Sequence, residues 1–238
     1  MRSRYQFKPG SSPLVLAMDH PAVVDARTIF PSRVFSARDL PRVLIPGENN
    51  AKIGGMWEKG WPGLRIVSLT LQERATCPRD CPVFCACYMN HQRFTVRVDA
   101  DEHLIPRLEA EIAVLARRFG SFSVRLHQGG DFFSADYARW WVRQMKKWPG
   151  LHCFGFTAWP RSSLIGEIIN EASYEWHRFR IRFSGEQDER SAAVMTDPPR
   201  GRHEDGAITC PAETGDTPKC ESCGLCLTTQ KKIVFALH

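Results

Sequence analysis

Hydrophobic and polar positions divide the chain into an irregular beginning and a regular remainder. The first 60 residues are rich in Pro, Gly and Ser, show little periodicity, and close on the glycine-rich run NNAKIGGMWEKGWPG. That pattern predicts an extended arm, residues 1–60, laid over the rest of the chain. LRIVSLTL, Leu64 to Leu71, is an apolar run of strand length and reads as a buried strand. Ile105, Leu108, Ile112, Leu115 and Phe119 recur at three-and-four spacing, which predicts a helix over 104–119 that Gly120 stops. SFSVRLHQGGD, Ser121 to Asp131, predicts a second strand running into a glycine turn. Ser134 is a candidate N-cap for a second helix with Ala138, Trp141, Val142, Met145 and Trp148 on its apolar face, ended by Pro149 and Gly150. LHCFGFTAW predicts a third strand, Leu164, Ile165, Ile168 and Ile169 a third helix, and HRFRIRFSGE a fourth strand. SAAVMT, AITC and KKIVFALH follow as later strands.

Strands alternating with helices predict an α/β fold, a partial or complete parallel βα barrel. Its core spans residues 61–206, and a cysteine-rich segment, 207–238, completes it. In such barrels the carboxyl ends of the strands build the site. The residues falling there are the first cysteines; His127, Gly130 and Asp131; Thr157, Trp159 and Arg161; Ser184, Gly185 and Glu186; and then Asp197, Cys210 and His238. His127, Asp131 and Glu186 are the candidate catalytic groups, with a hydrogen-bonded structural role open for His127. In the fourth strand Arg178, Arg180 and Arg182 alternate with Phe179, Ile181 and Phe183. One face of that strand is therefore polar, either lining the interior towards a charged ligand or lying at an exposed edge.

With 43% hydrophobic residues and a mean hydropathy of −0.32, the chain reads as globular, and no apolar run reaches the length of a membrane span. Asp19 and His20 interrupt the short apolar patch near the N-terminus before it forms a signal-peptide core. The expected location is the cytoplasm, where thiols stay reduced. A net charge of +6 permits a nucleic-acid partner, although the basic residues are scattered. Trp140, Trp141, Trp148 and Trp159 could stack nucleobases, but helical spacing assigns Trp141 and Trp148 to the core. Oligomeric state is not legible in these patterns.

Candidate chemistry lies in the cysteines. Eight of nine fall into two clusters: Cys77, Cys81, Cys85 and Cys87 in ATCPRDCPVFCACY, and Cys210, Cys220, Cys223 and Cys226 in CPAETGDTPKCESCGLC. Thiols at this spacing in a reduced compartment are metal or iron–sulfur ligands. Cys220-x2-Cys223-x2-Cys226 with a distant Cys210 has the ferredoxin-type arrangement and favours [4Fe–4S] over zinc. In the first cluster Cys77-x3-Cys81 is clear, and Cys85 or Cys87 is the third ligand. Three ligands leave one iron open to a small molecule, whereas four close the cluster. Structural zinc is the alternative at both.

A strand, a cysteine loop, a helix, and a strand ending in Gly129-Gly130-Asp131 resemble the radical S-adenosylmethionine superfamily. That resemblance implies a partial βα barrel, one or two [4Fe–4S] clusters, and S-adenosylmethionine held near Gly129, Gly130 and Asp131. Here Asp131 stands where that superfamily has a glutamate, and the cysteine spacing is longer than its usual pattern. A second resemblance covers about three quarters of the chain. KIGGMWEKGWPG, ERATCP-x2-C-x5-CY, LH-x2-GDF and CPA…C-x2-C-x2-C are similar to an uncharacterised family of phage and proteobacterial proteins. It implies Cys77, Cys81 and Cys87 as the first set, gives no counterpart for Cys85 or Gly129, implies the cytoplasm of a bacterium or phage-infected cell, and supplies no activity.

Overall fold

The computed structural model describes residues 12–186 and 190–237. His238, expected at a strand end, lies outside them. The strands in chain order are β1 Val34–Phe35, β2 Ile45–Pro46, β3 Arg65–Ser68, β4 Arg97–Val98, β5 Phe122–Leu126, β6 Leu151–Thr157, β7 Phe179–Ser184, β8 Ser191–Met195, β9 Ile208–Thr209 and β10 Ile233–Ala236. The helices are α1 Pro21–Val24, the long α2 Leu104–Phe119, α3 Ala135–Lys147 and α4 Leu164–Glu175, and three single turns, α5 Pro211–Thr214, α6 Cys220–Cys223 and α7 Leu225–Thr228.

The long helices form where periodicity and capping agree. α2 buries Leu104, Leu108 and Ile112, carries Arg117 and Arg118 in its last turn where they complement the helix dipole, and ends at Gly120 with φ 69°. α3 and α4 are capped by Ser134 Oγ accepting from Tyr137 N at 3.1 Å and Ser163 Oγ accepting from Gly166 N at 3.0 Å. All three pack on one face of the sheet against Val67, Val124, Cys153, Phe179, Ile181 and Phe183. Trp140 joins Trp141 in that core, at 5% and 0% exposure, so neither is free to stack a base. Trp159 packs on the same cluster and donates Nε1 to Phe132 O at 2.7 Å.

Eight strands make one mixed but parallel-rich sheet in the order β2-β3-β5-β6-β7-β8-β10-β9, and β1 and β4 form a separate parallel pair. Only β2 runs antiparallel, against β3. The βα alternation holds from β3 to β7 and then stops. β8 pairs with just the last two residues of β7, Phe183↔Ser191 and Ser184↔Ala192, with no helix between them among the described residues. Among the described residues no strand pairing joins β2 to β9, so the sheet is not closed into a barrel by hydrogen bonds. The arm is not simply extended either. It holds α1, three single 3-10 turns and β2, which is an edge of the main sheet.

The sheet is nonetheless strongly curved. Phe156 on β6 and Phe235 on β10 are three strand positions apart, about 14 Å in a flat sheet, yet their rings meet at 5.1 Å. Trp57, Ile66, Phe154 and Leu227 fill the concave side towards the strands' amino ends. Trp57 donates Nε1 to Ser123 Oγ at 2.9 Å, and Trp61 lies edge-on to His152. The polar face of β7 belongs to this concave side. Arg182, 3% exposed, donates to the carbonyls of Cys226 at 3.1 Å, Lys231 at 2.9 Å and Thr229 at 2.6 Å.

Candidate metal centre

Beyond β3 the chain reads Glu73-Arg74-Ala75-Thr76-Cys77, and three of the residues before the cysteine have structural work to do. Glu73 and Arg97 form a fully buried ion pair, Nε to Oε2 at 2.6 Å, while Thr28 Oγ1 donates to the other carboxylate oxygen at 2.6 Å. Arg97 also donates to the carbonyls of Met89 at 3.1 Å and Thr95 at 2.6 Å. Arg74, with φ 65°, donates to Phe84 O at 3.0 Å and to Asn90 Oδ1. Asn90 Nδ2 in turn donates to Leu14 O at 2.8 Å and Cys85 O at 3.0 Å. The left-handed backbone at Arg74 is held by these bonds. Buried charge and amide groups thus fix both ends of the loop that carries the thiols.

Cys77, Cys81 and Cys87 act on one another. Burial raises Cys77 well above the ordinary thiol range, with Asp131, Cys87 and Cys81 adding to it. Burial likewise pushes Cys81 up to about 12 and Cys87 up to about 11. Cys85 is set differently: its Sγ lies 3.3 Å from Met18 Sδ, and its carbonyl accepts from Leu16 N at 3.1 Å. The tip of the loop reaches β7, where a Cβ on Gly185 would stand 3.6 Å from Pro82 Cγ. Glu186, just beyond, accepts from Arg161 N at 3.2 Å.

The Gly-Gly-Asp turn faces the same loop. Gly129 O accepts from Leu71 N at 2.9 Å, and Thr76 Oγ1 accepts from Asp131 N at 3.1 Å. Gly130 has φ 78°, and a Cβ there would stand 2.4 Å from Thr76 Oγ1 and 2.7 Å from Leu71 Cβ. Only glycine admits this approach. Both Asp131 oxygens are engaged: Oδ1 accepts from Thr157 Oγ1 and Phe132 N, each at 2.8 Å, and Oδ2 from Ala158 N at 2.7 Å. Burial pushes this carboxyl up to about 7 against those hydrogen bonds. His127 lies behind the turn, its Nε2 3.1 Å from Tyr137 Oη and its ring edge-on to Phe132. Burial, then Arg125, lowers it to about 3, so it is neutral near pH 7.

The second set is pinned mainly by backbone. Cys220 N donates to Lys52 O at 2.7 Å, Glu221 N to Ile53 O at 3.0 Å, and Cys210 N to Val234 O at 2.8 Å. Glu221 Oε2 accepts from Gly55 N at 2.6 Å and Met56 N at 3.1 Å, in a space that a Cβ on Gly54 would fill. Buried Glu213 bonds Lys52 Nζ at 2.6 Å and accepts from Ala236 N at 3.0 Å. Burial would lower Lys52, but Cys210, Glu213 and Cys220 outweigh it and hold it above its ordinary value. Burial also raises Cys210 and Cys226, and pushes Cys220 up to about 12, against the nearby cations Lys52, Arg182 and Arg125. The 52–59 segment, which follows β2 at one sheet edge, therefore clasps the turns that follow β9 at the other.

Arg125 on β5 is packed 4.7 Å from the Phe156 ring and 5.7 Å from Phe154. Its charge acts on Tyr88 and on Cys220 and Cys226. Among the described residues no three His, Cys, Asp or Glu side chains are gathered tightly enough for a single metal ion. A cubane binds each thiol at a different corner, so its ligands stand further apart than those of one zinc. Of the eight grouped thiols only Cys210 is fully buried and the rest are part-exposed, and thiol donors in sets of four are the chemistry that an iron–sulfur cluster takes. The turn at Gly129, Gly130 and Asp131 does not fit the amino group of S-adenosylmethionine equally well, because its carboxylate and the Gly129 carbonyl already accept from the chain itself.

A family model described as gene product 88 matches residues 44–231, which contain both cysteine sets and the turn between them. The chain belongs to the gene product 88 family. No curated protein and no solved structure matches it. The radical S-adenosylmethionine resemblance gains no family match of its own. Among the described residues, no helix is long and apolar enough to cross a membrane. The gene product 88 match covers Lys52, Tyr88, Arg125 and Arg182, which the cysteine pattern does not point to. A signal for two of them exists: Arg125 is the lone charge of an otherwise buried strand, and Arg182 alternates with apolar residues in another. Lys52 and Tyr88 carry no such signal.

Proposed function

We propose that this gene product 88 family member is an iron–sulfur protein. Cys77, Cys81 and Cys87 would hold a [4Fe–4S] cluster with one iron open, and Cys210, Cys220, Cys223 and Cys226 an auxiliary closed cluster, on a partial barrel laid out like that of radical S-adenosylmethionine enzymes. Its activity is redox chemistry on a small molecule between the two sets. What supports this reading is the pair of four-cysteine groups, Cys77 to Cys87 and Cys210 to Cys226, both inside the residues that the gene product 88 model matches, with Arg125 acting on Tyr88 beside one and on Cys220 and Cys226 in the other. Bound clusters supply one-electron transfer and, at an iron without a protein ligand, a coordination position.

The chain's own residues do the rest. Glu73, Arg74, Arg97 and Asn90 hold the open loop rigid, and Trp57, Trp61 and Phe154 block the strands' amino ends and keep water out from below. Asp131 ties β5 to β6 beneath the first set. The turn that would take the amino group of S-adenosylmethionine is a strut in this fold, bonded to Leu71, Thr76, Thr157 and Ala158.

Anaerobic reconstitution with iron and sulfide tests the reading. Iron and sulfide sufficient for two clusters per chain are expected, with spectra typical of [4Fe–4S]. Zinc in both sets of protein purified under strict anaerobiosis, with no iron taken up, would sink it. Addition of S-adenosylmethionine should leave the cluster spectrum unchanged and release no 5′-deoxyadenosine.

A further inference from the structure

We propose that the groove between α2 and α3 binds a nucleotide, with Arg143 and Lys146 on its phosphate and the Gln144 carboxamide on its base. The groove lies in the helical layer of the sheet, opposite the concave side, and none of its residues belongs to either cysteine set. The inference therefore goes beyond the iron–sulfur reading and does not rest on it.

Glu109 of α2 and Trp140, Arg143, Gln144, Lys146 and Lys147 of α3 line an open groove of about 610 Å³. Small-molecule sites span roughly 300–1,000 Å³, so the space suits one nucleotide. Gln144 is only 4% exposed, and its Oε1 is enclosed without a hydrogen-bond partner. A buried amide oxygen left unpaired is costly, and a leucine would fill the same place without that cost. An N–H donor on a bound molecule would satisfy it. The amine of adenine is such a donor, and a carboxamide pairs with that base edge.

The rim supplies cations. The ion pairs of α3 are Arg139 with Asp136 and Lys147 with Glu109, the second tying α3 to α2 at 2.7 Å. Arg143 and Lys146 are exposed, and among the described residues neither has a carboxylate within ion-pair reach. Lys146 Nζ rests 5.8 Å from the Trp176 ring. Two free cations beside one neutralised pair leave the groove positive, and a guanidinium fork matches a phosphate. Trp140 is packed on Tyr137 and Trp141, so it walls the groove and does not stack a base. An acidic peptide would also match the cations, but the groove has the volume of one nucleotide and not of an extended acidic segment. A free nucleotide and one unit of a single strand share this chemistry.

The test titrates full-length protein with AMP by calorimetry and with a short labelled oligodeoxyadenosine by fluorescence anisotropy. AMP is expected to bind at one site per chain, ~10-fold or more weaker in Arg143→Gln. The wild type should prefer AMP over ribose 5-phosphate by ~10-fold, and Gln144→Leu should lose that preference. Arg143 is exposed and without an acid partner, so Arg143→Gln decides the matter if Gln144→Leu fails to fold. Oligonucleotide binding ~10-fold tighter than AMP, and falling steeply with salt, would assign the groove to a single strand. Equal or weaker binding assigns it to a free nucleotide. Neither probe binding the wild type, or equal binding to Arg143→Gln, overturns the proposal. Polyglutamate bound in place of both probes also overturns it and makes the groove a surface for an acidic protein. No readout here depends on iron, so failure of this site and failure of cluster assembly are separate results.

Discussion

The two cysteine sets have the same donors and different surroundings. The C-terminal set is clamped by backbone hydrogen bonds to the 52–59 segment and by the carboxylates of Glu213 and Glu221, and its neighbouring charges are Lys52, Arg125 and Arg182. The N-terminal set rides a loop held by side chains from further away, and its charges are mixed: acids, Asp131 and Asp80, act on Cys77 and Cys81, while Glu73 and the cations Arg74 and Arg97 act on Cys87. A set sealed among cations suits a closed cluster that stores an electron and staples the fold. A set on a framed loop, with one thiol turned aside, suits a cluster that meets a ligand. The difference lies in what the protein places around the sulfurs, not in the sulfurs.

The strongest way to break this comparison is to remove one thiol from each set. Cys223→Ser should cost the fold most, because the C-terminal set joins both edges of the sheet and metal binding there is folding energy. A large drop in melting temperature is expected, with iron reduced by one cluster per chain. Cys81→Ser should lose the other cluster and keep most of the melting temperature. The reverse ranking would exchange the two roles. Within the N-terminal set, Cys87→Ser should lose that cluster's iron and Cys85→Ser should retain it. Equal loss from both variants would make the first cluster a four-ligand, closed one.

Next in size is the frame of the N-terminal loop. Glu73 and Arg97 are buried, and each has the other as its main counter-charge. Arg97→Ala leaves a carboxylate uncompensated and should cost about 3–5 kcal/mol, read from urea unfolding of the iron-loaded protein. The C-terminal cluster should survive in the folded fraction. Glu73→Gln should cost less, because Thr28 and Arg97 keep a hydrogen-bond partner. If both variants unfold with wild-type midpoints, the loop is not held as described.

Local features of this chain were legible in its sequence and long-range ones were not. The spacing of Ile105, Leu108 and Ile112 marked a helix whose bounds are Leu104–Phe119, and Ser134 is the cap it resembles. These depend on neighbours within a turn. The arm read as extended because Pro and Gly suppress periodicity, yet its residues supply β2 and the clasp at Lys52–Lys59. The alternation of Arg178, Arg180 and Arg182 left open an interior or an edge, and the pairing of β7 with both β6 and β8 decides for the interior. Lys52 meets Glu213 across 161 residues, a contact that no local pattern encodes. The Gly-Gly-Asp turn shows the limit most clearly. Its residues resemble a cofactor-binding motif, but Thr76, Thr157 and Ala158 occupy it.

The smallest expected effect sharpens the electrostatic half of the comparison. Positive charge near a cluster stabilises its reduced, more negative form and raises its potential. Arg182 sits by the C-terminal set, with Nε 3.1 Å from Cys226 O, and the N-terminal thiols are not among the groups its charge shifts. Arg182→Gln should therefore lower the potential of the C-terminal cluster alone, by on the order of 1 kcal/mol or ~40 mV. Arg182→Lys keeps the charge but not the fork of bonds to Cys226, Thr229 and Lys231, so it separates field from scaffold. If Arg182→Lys holds the potential while Arg182→Gln lowers it, charge is the cause. If both lower it equally, Arg182 acts by positioning the 226–231 segment. A shift of the N-terminal cluster in either variant would mean that the two sets share one field, and the division of roles between them would fail.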